Sequence, residues 1–220
     1  MPARPSLALL IAGLSSVALA SAGAPRTVFP VDARDFAVLA RDSGPRNYYR
    51  VVEEHGERFV RGLYAPPYKT VTMFAELPDE LRRGVKTMRW RWRVLAFPKG
   101  GDECTGGRGD GAANVYVTWK SGLKWYSLKL VWSTVAKAGS TCNKTRNPFV
   151  TSDSIILRSG GRTGEWREEE IDPDALFRQH FEGGNAKAEV PELQGIGFLT
   201  DGDQTRSASA ADYGRFVLSK

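Results

Sequence analysis

Histidine and cysteine each occur only twice in these 220 residues, and methionine three times. So few imidazoles and thiols leave no His/Cys cluster at zinc-ligand spacing, and no cofactor or metal centre is expected from them. The Gly-x-Ser-x-Gly elbow of serine hydrolases is absent. Past the N-terminus no apolar run approaches the roughly twenty residues that cross a bilayer as a helix. Blocks of one charge sign are missing too. The 31 basic and 25 acidic residues are interspersed, so nucleic acid is not an expected partner.

What is present begins with an export signal. Arg4 precedes the apolar run Leu7 to Ala20, and Ala20-Ser21-Ala22 has the small-x-small pattern of a signal-peptidase site. Residues 1–22 are therefore expected to leave, and 23–220 to form one secreted or periplasmic domain without a transmembrane segment. Loss of Arg4 lowers the formal charge from +6 to +5. In an oxidising compartment Cys104 and Cys142, each in a Gly/Ser/Thr-rich loop, are expected to pair.

Strand patterns dominate. "YYRVVEEHGERFVRGLY" predicts a hairpin turning at His55-Gly56. Further strands are expected over Thr70–Glu76, Lys86–Phe97, Ala113–Trp119, Lys124–Ser133, Ser154–Ser159, Glu165–Ile171, Leu193–Thr200 and Tyr213–Leu218, with Ala136–Asn147 read as loop. One helix is predicted, with Asp172 as N-cap, Pro173 first and Gly183-Gly184 at the end. Many short strands and one short helix point to an all-β sandwich.

Alternation assigns faces within three strands. Met88, Trp90, Trp92 and Val94 form a core set, as do Val115, Val117 and Trp119, and Tyr126, Leu128, Leu130 and Trp132. If the three strands are neighbours, their opposite faces gather Arg89, Arg91, Arg93, Asn114, Tyr116, Thr118, Trp125, Ser127 and Lys129. Rings for stacking beside fork-shaped donors suit a sugar. The candidate binding residues are Arg89, Arg91, Arg93, Asn114, Tyr116, Trp125 and Lys129. The plainer reading of that face is a solvated one, its arginines paired with acids such as Glu168 and Glu170.

"MRWRWRV", "GDGAANVYVTW", "VWST", "IILRSGGRTGEW", "FRQHF" and "GIGFLTDGDQTRSASAADYGRFVL" occur in this order. Together they resemble a family of secreted bacterial proteins, domain of unknown function 3047, over roughly Phe36 to Leu218. The resemblance implies a jelly-roll sandwich similar to galactose-binding-like and carbohydrate-binding modules. It carries over no catalytic residues. "KGGDECTGGRGDG" departs from the acidic, cysteine-free loop that the resemblance leads one to expect.

Chemistry for catalysis is thin. His55 lies in a turn and His180 beside Phe177 and Phe181, positions that suit structural roles. "SGLK" lies between strands rather than opening a helix, and "RGD" is a three-letter coincidence. "NKT" at Asn143 matters only in a glycosylating host. Glu168 and Glu170 share a strand face about 6.5–7 Å apart, a spacing compatible with glycoside hydrolysis. Asp201 and Asp203 lack the EF-hand pattern but could help to hold a structural calcium, the one cofactor the sequence leaves open. The "DGDQT" loop reads first as a connection built on an Asx turn. The expected function is an exported module binding carbohydrate or another cell-envelope polymer. The alternatives are a polysaccharide hydrolase using acidic residues and an envelope protein-interaction module.

Overall fold

Residues 27–39 and 47–220 are described in the computed structural model. The expected export signal and its expected cleavage site lie outside them. The chain contributes β1 (Val28–Val31), β2 (Ala37–Val38), β3 (Tyr49–Glu54), β4 (Glu57–Tyr64), β5 (Met73–Glu76), β6 (Thr87–Ala96) and β7 (Ala113–Ser121). It continues through β8 (Lys124–Ser133), β9 (Thr141–Arg146), β10 (Val150–Ser159), β11 (Arg167–Ile171), the helix α1 (Pro173–Phe181), β12 (Glu192–Leu199) and β13 (Ser209–Ser219).

Local chemistry explains where these elements turn. His55 and Gly56 take φ of 54° and 76°, the pair of left-handed residues that lets a two-residue loop follow the twist of β3 and β4. Asp172 caps α1, its Oδ1 accepting from the Ala175 amide at 2.9 Å. Pro173 opens the helix, and Gly183 and Gly184 follow its end at positive φ.

The strands form two sheets. The first runs β11-β6-β13-β4-β3, with β1 also on β13; the second runs β2-β5-β12-β7-β8-β10-β9. All pairs are antiparallel except β8 with β10. The result is a jelly-roll-like, all-β sandwich with a single α-helix among the described residues.

Between the sheets lie the apolar sets named from alternation: Met88, Trp90, Trp92 and Val94 from one side, Val115, Val117, Trp119, Leu128 and Leu130 from the other, all fully buried. Trp92 meets Trp90 edge-on at 5.5 Å and Trp132 at 5.8 Å. Phe177 of α1 closes one end of this core, its ring 5.4 Å from Trp119 and 5.0 Å from Tyr126.

Two expectations need correction, and two strands were not anticipated. β6 is not a neighbour of β7 or β8; it lies in the first sheet, between β11 and β13. The segment read as a loop over Ala136–Asn147 contains β9, an edge strand with an exposed side-chain pattern that shows no apolar alternation. The short strands β1 and β2 carry too few residues to register as a period.

Candidate functional site

Because β6 belongs to the other sheet, the expected binding residues divide between the two outer surfaces of the sandwich. Arg89, Arg91 and Arg93 lie on the first sheet, and each is occupied. Arg89 Nε donates to Glu170 at 2.5 Å. Arg91 pairs with Glu57, which also pairs with Arg215. Arg93 donates to Asp212 at 2.6 Å and to Glu54 at 2.9 Å.

Asp212 is fully buried and also takes two bonds from Arg61, at 2.8 and 2.9 Å. These contacts hold the Arg61 guanidinium above its usual pKa, against the opposing effect of burial. The Trp166 ring lies over Arg91 and Arg93, 4.1 and 4.6 Å from their guanidinium carbons. Glu168 lies 3.7 Å from Arg215. The carboxylates weighed for glycoside chemistry are thus partners in an arginine ladder, and this surface is a structural ion-pair network.

The outer surface of the second sheet is different. Strand register lays out two rows across it. One reads Phe74, Gly197, Tyr116, Lys129, Ser154. The next reads Glu76, Gly195, Thr118, Ser127, Ser152. Trp125 comes one row further on, paired with Lys120 and Val150. The glycines matter here: a Cβ on Gly195 would strike the Phe74 ring, which therefore lies down over β12. Phe74, Tyr116, Thr118, Ser127, Lys129 and Ser152 are all half-buried, and Trp125 is exposed. The surface is a shallow strip of rings, hydroxyls and one ammonium. Asn114, expected on it, is fully buried, its Nδ2 bonded to the Gly111 and Leu199 carbonyls.

Beyond Asn114 the strip ends against two loops, 98–112 and 200–208. Buried phenols position the second: Tyr213 Oη donates to the Leu199 carbonyl, Tyr48 Oη to the Thr200 carbonyl, and Tyr49 Oη accepts from the Thr200 amide. Burial raises the pKa of all three phenols, so they stay protonated. The two loops are then tied together. Asp110 accepts from the Gln204 and Thr205 amides at 3.2 and 2.6 Å, and Gln204 Oε1 accepts from the Gly109 amide at 2.9 Å. Cys104 of the first loop is bonded to Cys142 of β9.

This junction concentrates carboxyl groups that sequence spacing did not connect. Asp110, Asp201 and Asp203 bring an oxygen each within 4.8 Å of one another. Burial pushes Asp201 up to about 7; Lys129 opposes the shift, while Asp110 and Asp203 add to it. Burial likewise raises Glu103. Its carboxyl oxygens and Asn114 Oδ1 are buried without hydrogen-bond partners and crowd the same side of Gly111. Burial alone would lower Lys129. The Tyr116, Asp201, Glu103 and Asp110 groups outweigh it and raise the ammonium. Asp201 Oδ1 accepts from the Gly202 amide at 2.7 Å and from the Asp203 amide, two residues on, at 3.4 Å, the latter being the Asx contact expected of a connecting loop.

Fold and site together define a β-sandwich that presents an open, aromatic-bearing sheet surface bounded by an acidic loop junction. The chain belongs to the family described as protein of unknown function (DUF3047), whose profile matches residues 41–217. No curated protein matches it in sequence.

Among solved structures it is similar to the xyloglucanase domain of NopAA, a type three effector from Sinorhizobium fredii in complex with cellobiose. That match has 12% identity and a TM-score of 0.46, and covers 91% of this chain and 100% of that one. Endoglucanase 3 of Trichoderma harzianum, from family GH12, matches at 10% identity and TM-score 0.41, covering 91% and 99%. TmCBM61 in complex with beta-1,4-galactotriose matches at 14% identity and TM-score 0.36, covering 85% and 89%.

Proposed function

We propose that the protein is an exported binding module whose ligand is a carbohydrate lying across the outer surface of the second sheet. The observation that carries this reading is the strip itself: Phe74, Tyr116 and Trp125 stand among Gly195, Gly197, Thr118, Ser127 and Ser152. Partly exposed rings offer apolar faces to pyranose C–H groups. Serine and threonine hydroxyls donate and accept, and Lys129, whose ammonium is under the influence of the acidic junction, adds a donor at that end of the strip. Export rests on the N-terminal signal pattern, and the Cys104–Cys142 bond is in keeping with an oxidising compartment.

A second reading, hydrolysis, is favoured by one observation: a carboxyl at Asp201 pushed up to about 7 beside two other aspartates suits a general acid. Against it, both Asp110 oxygens are already committed to backbone amides.

Binding of the mature protein to a panel of soluble neutral polysaccharides tests both. Tyr116→Ala should weaken capture about tenfold, equivalent to ~1.4 kcal/mol, with the fold intact. Unchanged capture would defeat the proposal. Release of reducing ends that disappears in Asp201→Asn would instead establish the hydrolase.

A further inference from the structure

Two turns at the far end of the second sheet, away from the acidic junction, expose large apolar side chains to solvent. Gly122, at φ 56°, turns β7 into β8 and leaves Leu123 80% exposed. The turn from β9 to β10 leaves Phe149 62% exposed. Distant in sequence, the two turns are adjacent in space. The Trp125 amide donates to the Phe149 carbonyl at 2.8 Å, and Trp125 pairs with Val150 across β8 and β10. Trp125 and Val150, 40% and 37% exposed, complete one apolar tip.

Within the two turn segments the charges are of one sign; beside them Glu192, opposite Lys120 across β12 and β7, is engaged by Arg83 at 3.3 Å. Segments 120–126 and 143–152 hold Lys120, Lys124, Lys144 and Arg146 and no carboxylate, in a chain that has 25 acidic residues. Lys120 and Lys124 reach over the Trp125 and Tyr126 rings, at 5.0 and 5.1 Å, so their ammonium groups flank the apolar tip. Arg146 is committed to Asp153 at 2.7 Å. The three lysines therefore carry the charge available to a partner.

A neutral glycan would use the Trp125 ring but has no counterpart for an exposed leucine, valine and three lysines. A lipid interface has one for each. Leucine and phenylalanine enter the boundary between headgroups and acyl chains, tryptophan sits at headgroup level, and lysines meet anionic phosphates.

We propose that this tip docks on the surface of an anionic lipid bilayer, with Leu123 and Phe149 inserted and Lys120, Lys124 and Lys144 on the headgroups. The docked domain would hold its sheet surface at the membrane, within reach of polymers there.

Flotation of the mature protein with phosphatidylcholine vesicles, with and without about one third phosphatidylglycerol, tests the idea. Wild type should float with the anionic vesicles only, and less as salt rises. The double variant Leu123→Asp/Phe149→Asp should float at least about tenfold less, with an unchanged thermal melt because both side chains are exposed in the fold. Equal flotation of the variant would overturn the proposal, as would no flotation of wild type. So would a wild-type dimer that the variant converts to monomer, since a second copy would then cover the tip. Neither substituted residue belongs to the carbohydrate strip, so glycan capture by the variant tests that reading separately.

Discussion

Asp212 and Arg93 form the centre of the first sheet's outer surface: Arg93 Nε donates to Asp212 Oδ2 at 2.6 Å, and the carboxylate is wholly excluded from water. Arg61 completes the clamp from β4, and Glu54 links the two guanidinium groups. A buried carboxylate held this way is costly to remove, because its partners are left without compensation. Asp212→Ala should destabilise the fold by about 3–5 kcal/mol, read as a shift in the urea midpoint at constant slope. A shift within about 0.5 kcal/mol of zero would mean that Glu54 alone suffices for both arginines.

Trp92 fills the middle of the core, and its indole Nε1 still reaches Glu169 at 3.0 Å. Trp92→Ala removes the ring and leaves that hydrogen bond unmade. The expected cost is about 3–5 kcal/mol by the large-to-small arithmetic, measured by denaturant unfolding. Trp125→Ala, at the exposed end of the second sheet, should cost far less.

How far the sequence could be read follows from these two tryptophans. Alternation within a strand decides which side chains share a face, so the burial of Trp92 and the exposure of Trp125 were both legible. Which strands lie side by side is decided by long-range pairing that alternation does not encode. The segment 97–112 carries the chain from the first sheet to the second, so Arg91 and Tyr116 end on opposite surfaces. The α1 caps and the His55-Gly56 turn were legible because their signals lie within a few residues. Strand β9 was not, since an exposed edge needs no apolar period. Asp201 and Asp203 were visible as a pair. Asp110 and Glu103 join them only through the packing of two glycine-rich loops, and Phe74 joins the strip only because β12 has glycine at 195 and 197.

The Cys104–Cys142 bond encloses a sequence separation of 38 residues and fastens the loop carrying Glu103 and Asp110 to β9. Closing a loop of that length constrains the unfolded chain by about 4 kcal/mol on the chain-entropy account. Cys104→Ser/Cys142→Ser should lower stability by a comparable amount. Protection of the 98–112 amides from hydrogen exchange should fall more than that of β7 and β8. Equal loss everywhere would show that the bond acts on the whole fold rather than on the loop.

Asp201 makes a signed statement about pH. Its carboxyl is raised from an unfolded value near 4 to about 7, so between those limits the folded state binds the extra proton. Stability from this group is therefore largest near pH 4 and is lost as pH rises through 7. Glu103 shifts in the same direction, while Asp32 and Glu54 are lowered and favour the opposite trend at acid pH. Asp201→Asn isolates the contribution: thermal melts from pH 4 to 8 should decline less steeply than wild type. Parallel curves would show that Asp201 is ionised throughout.

The carbohydrate strip can be tested by filling it as well as by cutting it away. Ser127 lies between Thr118 and Ser152 in the row beside Tyr116, half-buried, on a strand surface that accepts aromatic side chains. Ser127→Phe should leave the thermal midpoint within a few degrees of wild type. A ligand lying across β7, β8 and β10 would meet the added ring, so polysaccharide capture should fall about tenfold or more. Arg91→Ala, on the opposite surface and stacked on Trp166, should leave capture unchanged even if it costs stability. The reverse pattern, with capture sensitive to Arg91 and indifferent to Ser127, would move the binding site to the arginine surface of the first sheet.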